Sequence, residues 1–399
     1  MREVILVSQE EGNIMKIAFI GQKNIGEHSG SVERHVRQLA ASMALMGHEV
    51  TVYAEESSGD PISGVSTIVL PGFPLRGFEA ISRNGFATVH ALFQKYDIVH
   101  FHSTGPSVFS LLPRIFRPDM RVVATVHGRD YLHHHRNRLS RMLLRWAEFI
   151  ACTVPEKTIV VSKTLARYVE TVYRKPFTLI PYGIEATLTD RTDFLRKQGL
   201  KERRYLLSVS RLARHKGIHY LIKAFQALKE TSELPNNWKL VIVGTQREVK
   251  DYAVYLRFLA VDDADVLFLD ECRPEDLSQL YSNAGIFVCL SEDEDLSLML
   301  LEALGHGLPC VVSDTPANRE AIVDCGVVCE PKNILDLKQK ISSLINRPDT
   351  MKSLSFLAQA RARLEYDQSA IAGRTISLYE DLLTGKQNLW KISFGLKNK

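Results

Sequence analysis

The 399-residue chain lacks any apolar run approaching the ~18 to 20 residues of a membrane-crossing helix; its longest are blocks such as "VVATV" and "GIFVCL". No helical integral membrane protein is expected. It also lacks a surplus of either charge, since 50 Lys and Arg stand against 46 Asp and Glu for a net +4. That balance argues against a dedicated nucleic-acid binder, and no nucleic-acid partner is expected. Cysteines are few, six in all, and most lie in apolar surroundings such as "FVCL" and "PCVV", so they read as small buried hydrophobes of a reduced compartment. Cys325 and Cys329 are four apart with no second Cys/His pair at zinc spacing, so no metal site is expected. Internal repeats and low-complexity tracts are missing too, which sets aside solenoids and disordered scaffolds. A secretory signal is not expected either, because Glu3, Glu10 and Glu11 interrupt what would be its apolar core. The cytoplasm is the expected compartment.

What is present is ordinary globular composition, 45% apolar and 24% charged, at a length that suggests two domains. Residues 1–14 precede "MKIAFIG", a buried-strand pattern, so the fold is expected to begin at Met15 and the first fourteen residues to be an extension rather than an edge strand. From there strands alternate with helices: "KIAFIG", the amphipathic "SVERHVRQLAASMALMG", "HEVTVYA", then β-branched blocks at 98–102, 122–128, 158–162 and 177–183. Residues 184–203 lapse into charged, turn-like sequence. A second series follows, with strands at "YLLSVS", 240–244, 266–270, 285–291 and 309–314, and helices at 217–229, 248–260, 274–282 and 297–305. The pattern predicts an α/β protein of two Rossmann-like, doubly wound domains. Open parallel sheets bind ligands beyond their carboxyl ends, so two such domains would hold a ligand in the central cleft they face.

Several residues lie where chemistry could occur. Gly21, Gly26 and Gly30 occupy the first strand-to-helix loop, where glycine lets backbone approach a phosphate at a helix N-terminus, although the loop matches no phosphate-binding fingerprint. His127 ends a strand in "TVHGRD" and could donate to a sugar or phosphate, or simply cap a turn. His100 and His102 alternate along another strand and read equally as structural histidines. Arg211 and Lys216 are five apart just past a strand and could converge on one phosphate, or be a solvated pair. Glu294 and Glu302 are eight apart in "SEDEDLSLMLLEALGHGLPCVVSD", one in a loop and one on the helix beginning near Ser297; such carboxylates suit the diols of sugars and ribose. The basic run "HHHRNRLSRMLLRW" (133–146) reads as a solvated helix face or as an attractor of anionic acceptors or membrane.

Taken in order, the segments "LAASMALMGHEVTVY", "YDIVHFHS", "TVHGRD", "IVVSKTLARYV", "IPYGIE", "SVSRLARHKGIHYLIKAF" and E-x7-E running into "EALGHGLPCVVSD" resemble the retaining GT-B glycosyltransferases of family 4, over roughly residues 15–380. The nearest in character are bacterial or archaeal surface-polysaccharide members, rhamnosyltransferase-like ones included. The resemblance implies an acceptor-side domain over 15–185, a nucleotide-sugar-binding domain over 186–365, and a helix over 366–399 that crosses back and ends in a basic tail. It implies a UDP-, GDP- or dTDP-linked sugar donor, a saccharide or lipid-linked acceptor, and no cofactor. Arg211 and Lys216 would neutralise the departing diphosphate, Glu294 would hold the donor hexose, and His127 would lie near the transferred sugar. Gly30, Gly244, Ser297, Leu298 and Glu302 would bind the donor, Glu302 through the ribose. Segments 133–145 and 386–399 are candidate peripheral membrane contacts, at the inner face of the membrane.

Two departures from the family pattern stand out. Glu294-Asp295-Leu296-Ser297 replaces the usual Glu-Gly-Phe-Gly, and Ser29-Gly30 replaces Gly-Gly, with an expected proline absent nearby. Asp295 would put a carboxylate near a dianionic diphosphate. The alternatives are therefore a non-catalytic GT-B subunit that scaffolds a transferase complex and a nucleotide-sugar epimerase of the same fold.

Overall fold

A computed structural model describes residues 13–22, 30–54, 61–74, 78–129, 138–244, 250–270, 272–292 and 295–385. Buried blocks such as Ile98–His102, all five side chains inaccessible, cannot face water on either side and so demand helices on both faces of their sheet. The first domain supplies them. Its elements are β1 (Lys16–Ile20), α1 (Ser31–Leu45), β2 (Glu49–Ala54), β3 (Val65–Val69), α2 (Glu79–Leu92), β4 (Ile98–His102), α3 (Leu111–Phe116), β5 (Arg121–Val126), α4 (Arg138–Thr153), β6 (Lys157–Val160), α5 (Lys163–Tyr173) and β7 (Thr178–Leu179). All pairings are parallel in the order β3-β2-β1-β4-β5-β6-β7.

The second domain repeats the scheme. It runs α6 (Asp193–Lys197), β8 (Tyr205–Val209), α7 (Ile218–Glu230), β9 (Lys239–Val243), α8 (Lys250–Leu259), β10 (Val266–Leu269), α9 (Pro274–Asn283), β11 (Ile286–Cys289), α10 (Leu298–Gly305), β12 (Cys310–Ser313), α11 (Pro316–Ile322), β13 (Gly326–Cys329), α12 (Ile334–Ile345) and α13 (Pro348–Glu365). Its parallel order is β10-β9-β8-β11-β12-β13. In each sheet the chain starts in the middle, builds outward to one side and then crosses to the other. The strand order therefore reverses between β1 and β4 in one domain and between β8 and β11 in the other.

Four stretches differ from the sequence expectation. The strand expected over 177–183 pairs in the sheet only through Thr178 and Leu179, because Pro181 has no N–H to give a ladder. The chain then leaves the sheet and Ile184 pairs with the chain near Asp367, its N–H donating to the Tyr366 carbonyl at 2.7 Å. The turn-like stretch after 184 holds the one-turn helix α6. The short, half-exposed β3 and β13 also escaped the pattern. The cysteines behave as small hydrophobes: all six are free thiols, five buried and Cys272 half-buried.

A final helix, α14 (Gln368–Thr384), returns to the first domain, where Ile371, Ala372, Ile376 and Tyr379 pack with Phe19, Val36, Leu39 and Met43. The two domains also share one hydrophobic cluster, from Val160 and Leu165 to Leu298, Ala321 and Ile322. The Glu320 carboxylate of α11 accepts from the Lys163 N–H at 2.7 Å and the Thr164 N–H at 3.2 Å, capping the N-terminus of α5 across the domain boundary. These contacts hold the carboxyl ends of both sheets toward each other.

Candidate active site at the two switch points

A parallel sheet leaves a crevice where its strand order reverses, because the loops on either side of that point run in opposite directions. On the first domain this crevice is made by the loops after β1 and β4. Gly21 follows β1 at φ +120°, and a Cβ there would lie 2.3 Å from the His102 carbonyl at the end of β4, so only glycine lets the two strand ends pass so closely. Gly30 stands at the N-cap of α1 without a side-chain cap, and its carbonyl accepts from the Arg34 N–H at 3.0 Å.

Behind these loops lies a cluster of four histidines, from α1, β4 and the loop after β5. His100 Nδ1 meets the Tyr379 hydroxyl at 2.6 Å and its Nε2 meets Thr125 Oγ1 at 2.7 Å. His102 Nδ1 lies 3.3 Å from His127 Nε2, and His127 Nδ1 lies 3.1 Å from the Tyr182 hydroxyl. His35 from α1 packs edge-on against the rings of His127 and Tyr182. Burial pushes all four well below the ordinary imidazole range, His35 to about 4 and His100 to about 3, so the cluster is neutral at pH 7. His100 and His102 are thus structural. His127 reaches the crevice as the carboxyl end of β5 requires, but both its ring nitrogens already meet protein partners.

On the second domain the crevice lies between the loop after β8 and the loop after β11. The two are tied together: the Glu292 N–H donates to the His215 carbonyl at 2.9 Å. Gly244, at the end of β9, supports the first of them from beneath, since a Cβ there would lie 2.1 Å from the Ser210 carbonyl. Arg211 is exposed, whereas Lys216 is only 6% exposed. Burial pushes the Lys216 ammonium down to about 7; the Cys289 thiol opposes that and the charge of Arg211 adds to it.

From the β11 side come the N-terminus of α10 and the carboxylates. Ser297 is the N-cap, yet its side chain makes no capping bond, so the first N–H groups of α10, from Leu298 on, are not satisfied by their own cap. Both Ser297 and Leu298 are buried. Glu302 is 5% exposed; one carboxylate oxygen is held by the Arg34 guanidinium of α1, while Oε2 is buried with no hydrogen-bond partner among the described residues. Arg34 also reaches Met299 Sδ at 3.4 Å. Glu294 lies outside the described residues. Asp295 turns toward the first domain: its Oδ2 accepts from the Arg129 N–H at 3.2 Å and its Oδ1 lies 3.9 Å from Arg129 Nε.

The structure thus brings Gly30, His127, Arg211, Lys216, Ser297, Leu298 and Glu302 to the facing ends of the two sheets, with Gly244 beneath. Sequence reasoning missed Arg34, Arg129 and Tyr182. Each lies in or beside a segment that was read, but its partner is on a distant element. A site of this kind offers fixed cations and free helical N–H groups for an anion, and a half-satisfied carboxylate for hydroxyl donors.

Comparison with known proteins agrees with the geometry. The family model for glycosyltransferase family 4 matches residues 32–188, and that for glycosyl transferases group 1 matches residues 190–361. Together they account for most of the chain. A Methanocaldococcus jannaschii protein described as an uncharacterised glycosyltransferase is 25% identical over 397 residues, covering 92% of this chain and 98% of that one. A Haemophilus influenzae protein with the same description is 29% identical over 228 residues, but the match spans only 55% of this chain and 59% of that one. Among solved structures, HepE of Anabaena in complex with UDP-glucose superposes with a TM-score of 0.75 at 19% identity, covering 92% of this chain and all of that one.

Proposed function

Since the chain belongs to the GT-B glycosyltransferases of family 4, we propose that it moves a sugar from a nucleotide-sugar donor to a saccharide or lipid-linked acceptor with retention at the anomeric carbon, in cell-surface polysaccharide or glycoconjugate synthesis. One observation carries the donor side of this reading: Arg211 and the buried Lys216 share the strand-to-helix loop at a switch point, and that loop is tied to the one after β11 by the Glu292 N–H on the His215 carbonyl. A buried lysine and an exposed arginine on one strand-to-helix loop at a switch point suit a bound anion, the lysine as a point charge and the arginine as a planar fork. The UDP-glucose bound to the Anabaena neighbour supports a nucleoside diphosphate sugar as that anion's source.

In this reading the diphosphate lies between the Arg211–Lys216 loop and the N-terminus of α10, where the N–H groups after Ser297 add a partial positive charge. Glu302 Oε2 accepts from the ribose hydroxyls, and Glu294 holds the hexose. Gly30 gives the diphosphate close backbone approach from the first domain, and His127 with Tyr182 forms the wall beside the transferred sugar. The bond from the anomeric carbon to the diphosphate oxygen breaks and that from the same carbon to the acceptor oxygen forms on the same face. The acceptor's proton passes to the departing phosphate, whose growing charge the two cations stabilise.

Asp295 is the feature that favours the alternative of a non-catalytic subunit. Its carboxylate, however, is turned to the Arg129 backbone and guanidinium, which offsets its charge and supports the catalytic reading. A thermal-shift screen over UDP-, GDP- and dTDP-sugars separates the two. At least one donor should raise the melting temperature of the native chain and fail to do so in Lys216→Met. A chain that binds none of them is a scaffold.

A further inference from the structure

We propose that the outward face of α4 docks on an anionic lipid bilayer. A helix on the surface of a soluble domain normally turns its apolar stripe inward. Helix α4 does this with Ala147, Ile150 and Ala151, all buried. Over its first three turns, however, large apolar side chains on the side that Ile150 continues stay open: Leu139, Met142, Leu143 and Trp146, with Phe149 at the edge, are each between 52% and 61% exposed. At about 100° per residue these five fall within about 120° of arc, the i, i+3, i+4, i+7 spacing of a face that contacts something. Five large apolar side chains at such spacing are not a scatter of single exposed residues.

The chemistry of the occupant follows from charge. Arg138, Arg141 and Arg145 are exposed and run along one edge of the stripe. The single carboxylate of the helix, Glu148, is 1% exposed and turned inward, where the Tyr168 hydroxyl donates to it at 2.7 Å and Tyr173 donates as well. The outward surface of α4 is therefore apolar and cationic with no acidic side chain of its own. An apolar stripe with a tryptophan and a basic border fits the headgroup and acyl boundary of an anionic bilayer, the aromatic ring at the interface and the guanidinium groups on phosphate. This inference uses none of the groups assigned to sugar transfer.

The test is cosedimentation of the full chain with vesicles of phosphatidylglycerol and phosphatidylcholine, against vesicles of phosphatidylcholine alone. The native chain should pellet with the anionic vesicles and be released by salt. Leu143→Glu with Trp146→Glu should weaken that binding about tenfold or more, with the melting temperature and its shift by donor unchanged. Arg138→Gln with Arg141→Gln should weaken binding to anionic vesicles only. Removing residues 386–399 should leave the binding in place. Absence of binding to anionic vesicles, full binding by the Leu143→Glu/Trp146→Glu variant, loss of binding on tail removal alone, or a dimer in solution that this variant splits would each overturn the proposal.

Discussion

Filling the cation pair with an anion has a measurable consequence in protons. In the free protein Lys216 titrates at about 7, so about half the molecules carry the charge at that pH. A phosphate oxygen bearing one negative charge at about 4 Å interacts with an ammonium by about 4 kcal/mol at an effective dielectric of about 20. Divided by about 1.4 kcal/mol per pKa unit, and reduced for water left in the crevice, that raises the bound-state pKa by about two units. Binding of UDP or of a UDP-, GDP- or dTDP-sugar should then take up about 0.5 proton at pH 7, nearly none at pH 5.5 and about 0.8 at pH 8. Affinity should be flat below pH 7 and fall as pH rises from about 7 to about 9, because only the charged lysine is stabilised by the ligand. Isothermal titration calorimetry in buffers of different ionisation enthalpy reads the uptake directly. Lys216→Met should abolish it and weaken binding, while Arg211→Gln should weaken binding and leave the uptake present. Uptake that is absent at pH 8, or that persists in Lys216→Met, would refute the assignment of a phosphate to this pair.

Two further outcomes follow from buried polar groups elsewhere. Arg34→Met leaves the Glu302 carboxylate buried without its cation, so unfolding by urea should show a loss of about 1 to 3 kcal/mol, below the range for fully buried pairs because Arg34 is a quarter exposed; an unchanged midpoint would contradict the pairing. The histidine cluster should make the protein acid-sensitive. Its members are held below their unfolded value of about 6.5, so below that pH the unfolded chain binds more protons than the folded one, and stability falls as pH drops from about 6.5 toward about 4, by up to about 1.4 kcal/mol per pH unit for each histidine. A melting temperature independent of pH between 7 and 5 would rule this out.

How much of the site was legible depended on sequence distance. Arg211 and Lys216 belong to one strand-to-helix loop, so their convergence could be read from the strand pattern and their spacing. The same holds for Ser297 and Leu298 at the start of α10, because a strand, a loop and an apolar helix follow in order. Arg34 and Glu302 are 268 residues apart, and nothing local tells an arginine on α1 that its partner is a carboxylate of the other domain. The histidine cluster was hidden for the same reason: His35, His100, His102 and His127 come from one helix, one strand and one loop, with Tyr182 and Tyr379 closing the network. The alternation of His100 and His102 showed that they share a face but not that the face is sealed. Asp295 read as a threat to a diphosphate because its sequence position is known while its rotamer is not; the carboxylate points to Arg129. In the fold, Pro181 sits in plain view as the residue that ends β7, whereas β3 and β13 are too short and too exposed for their alternation to register.

The anomer first released tests sugar transfer with retention from a nucleotide-linked donor without knowledge of the acceptor. The purified chain should be incubated with the donor that stabilises it, with water as the surrogate acceptor, and the anomeric proton signals followed by NMR before mutarotation. An α-linked donor should give the α-anomer first, at a rate lost in Lys216→Met. Initial release of the β-anomer, or no turnover of any donor that binds, would contradict the account.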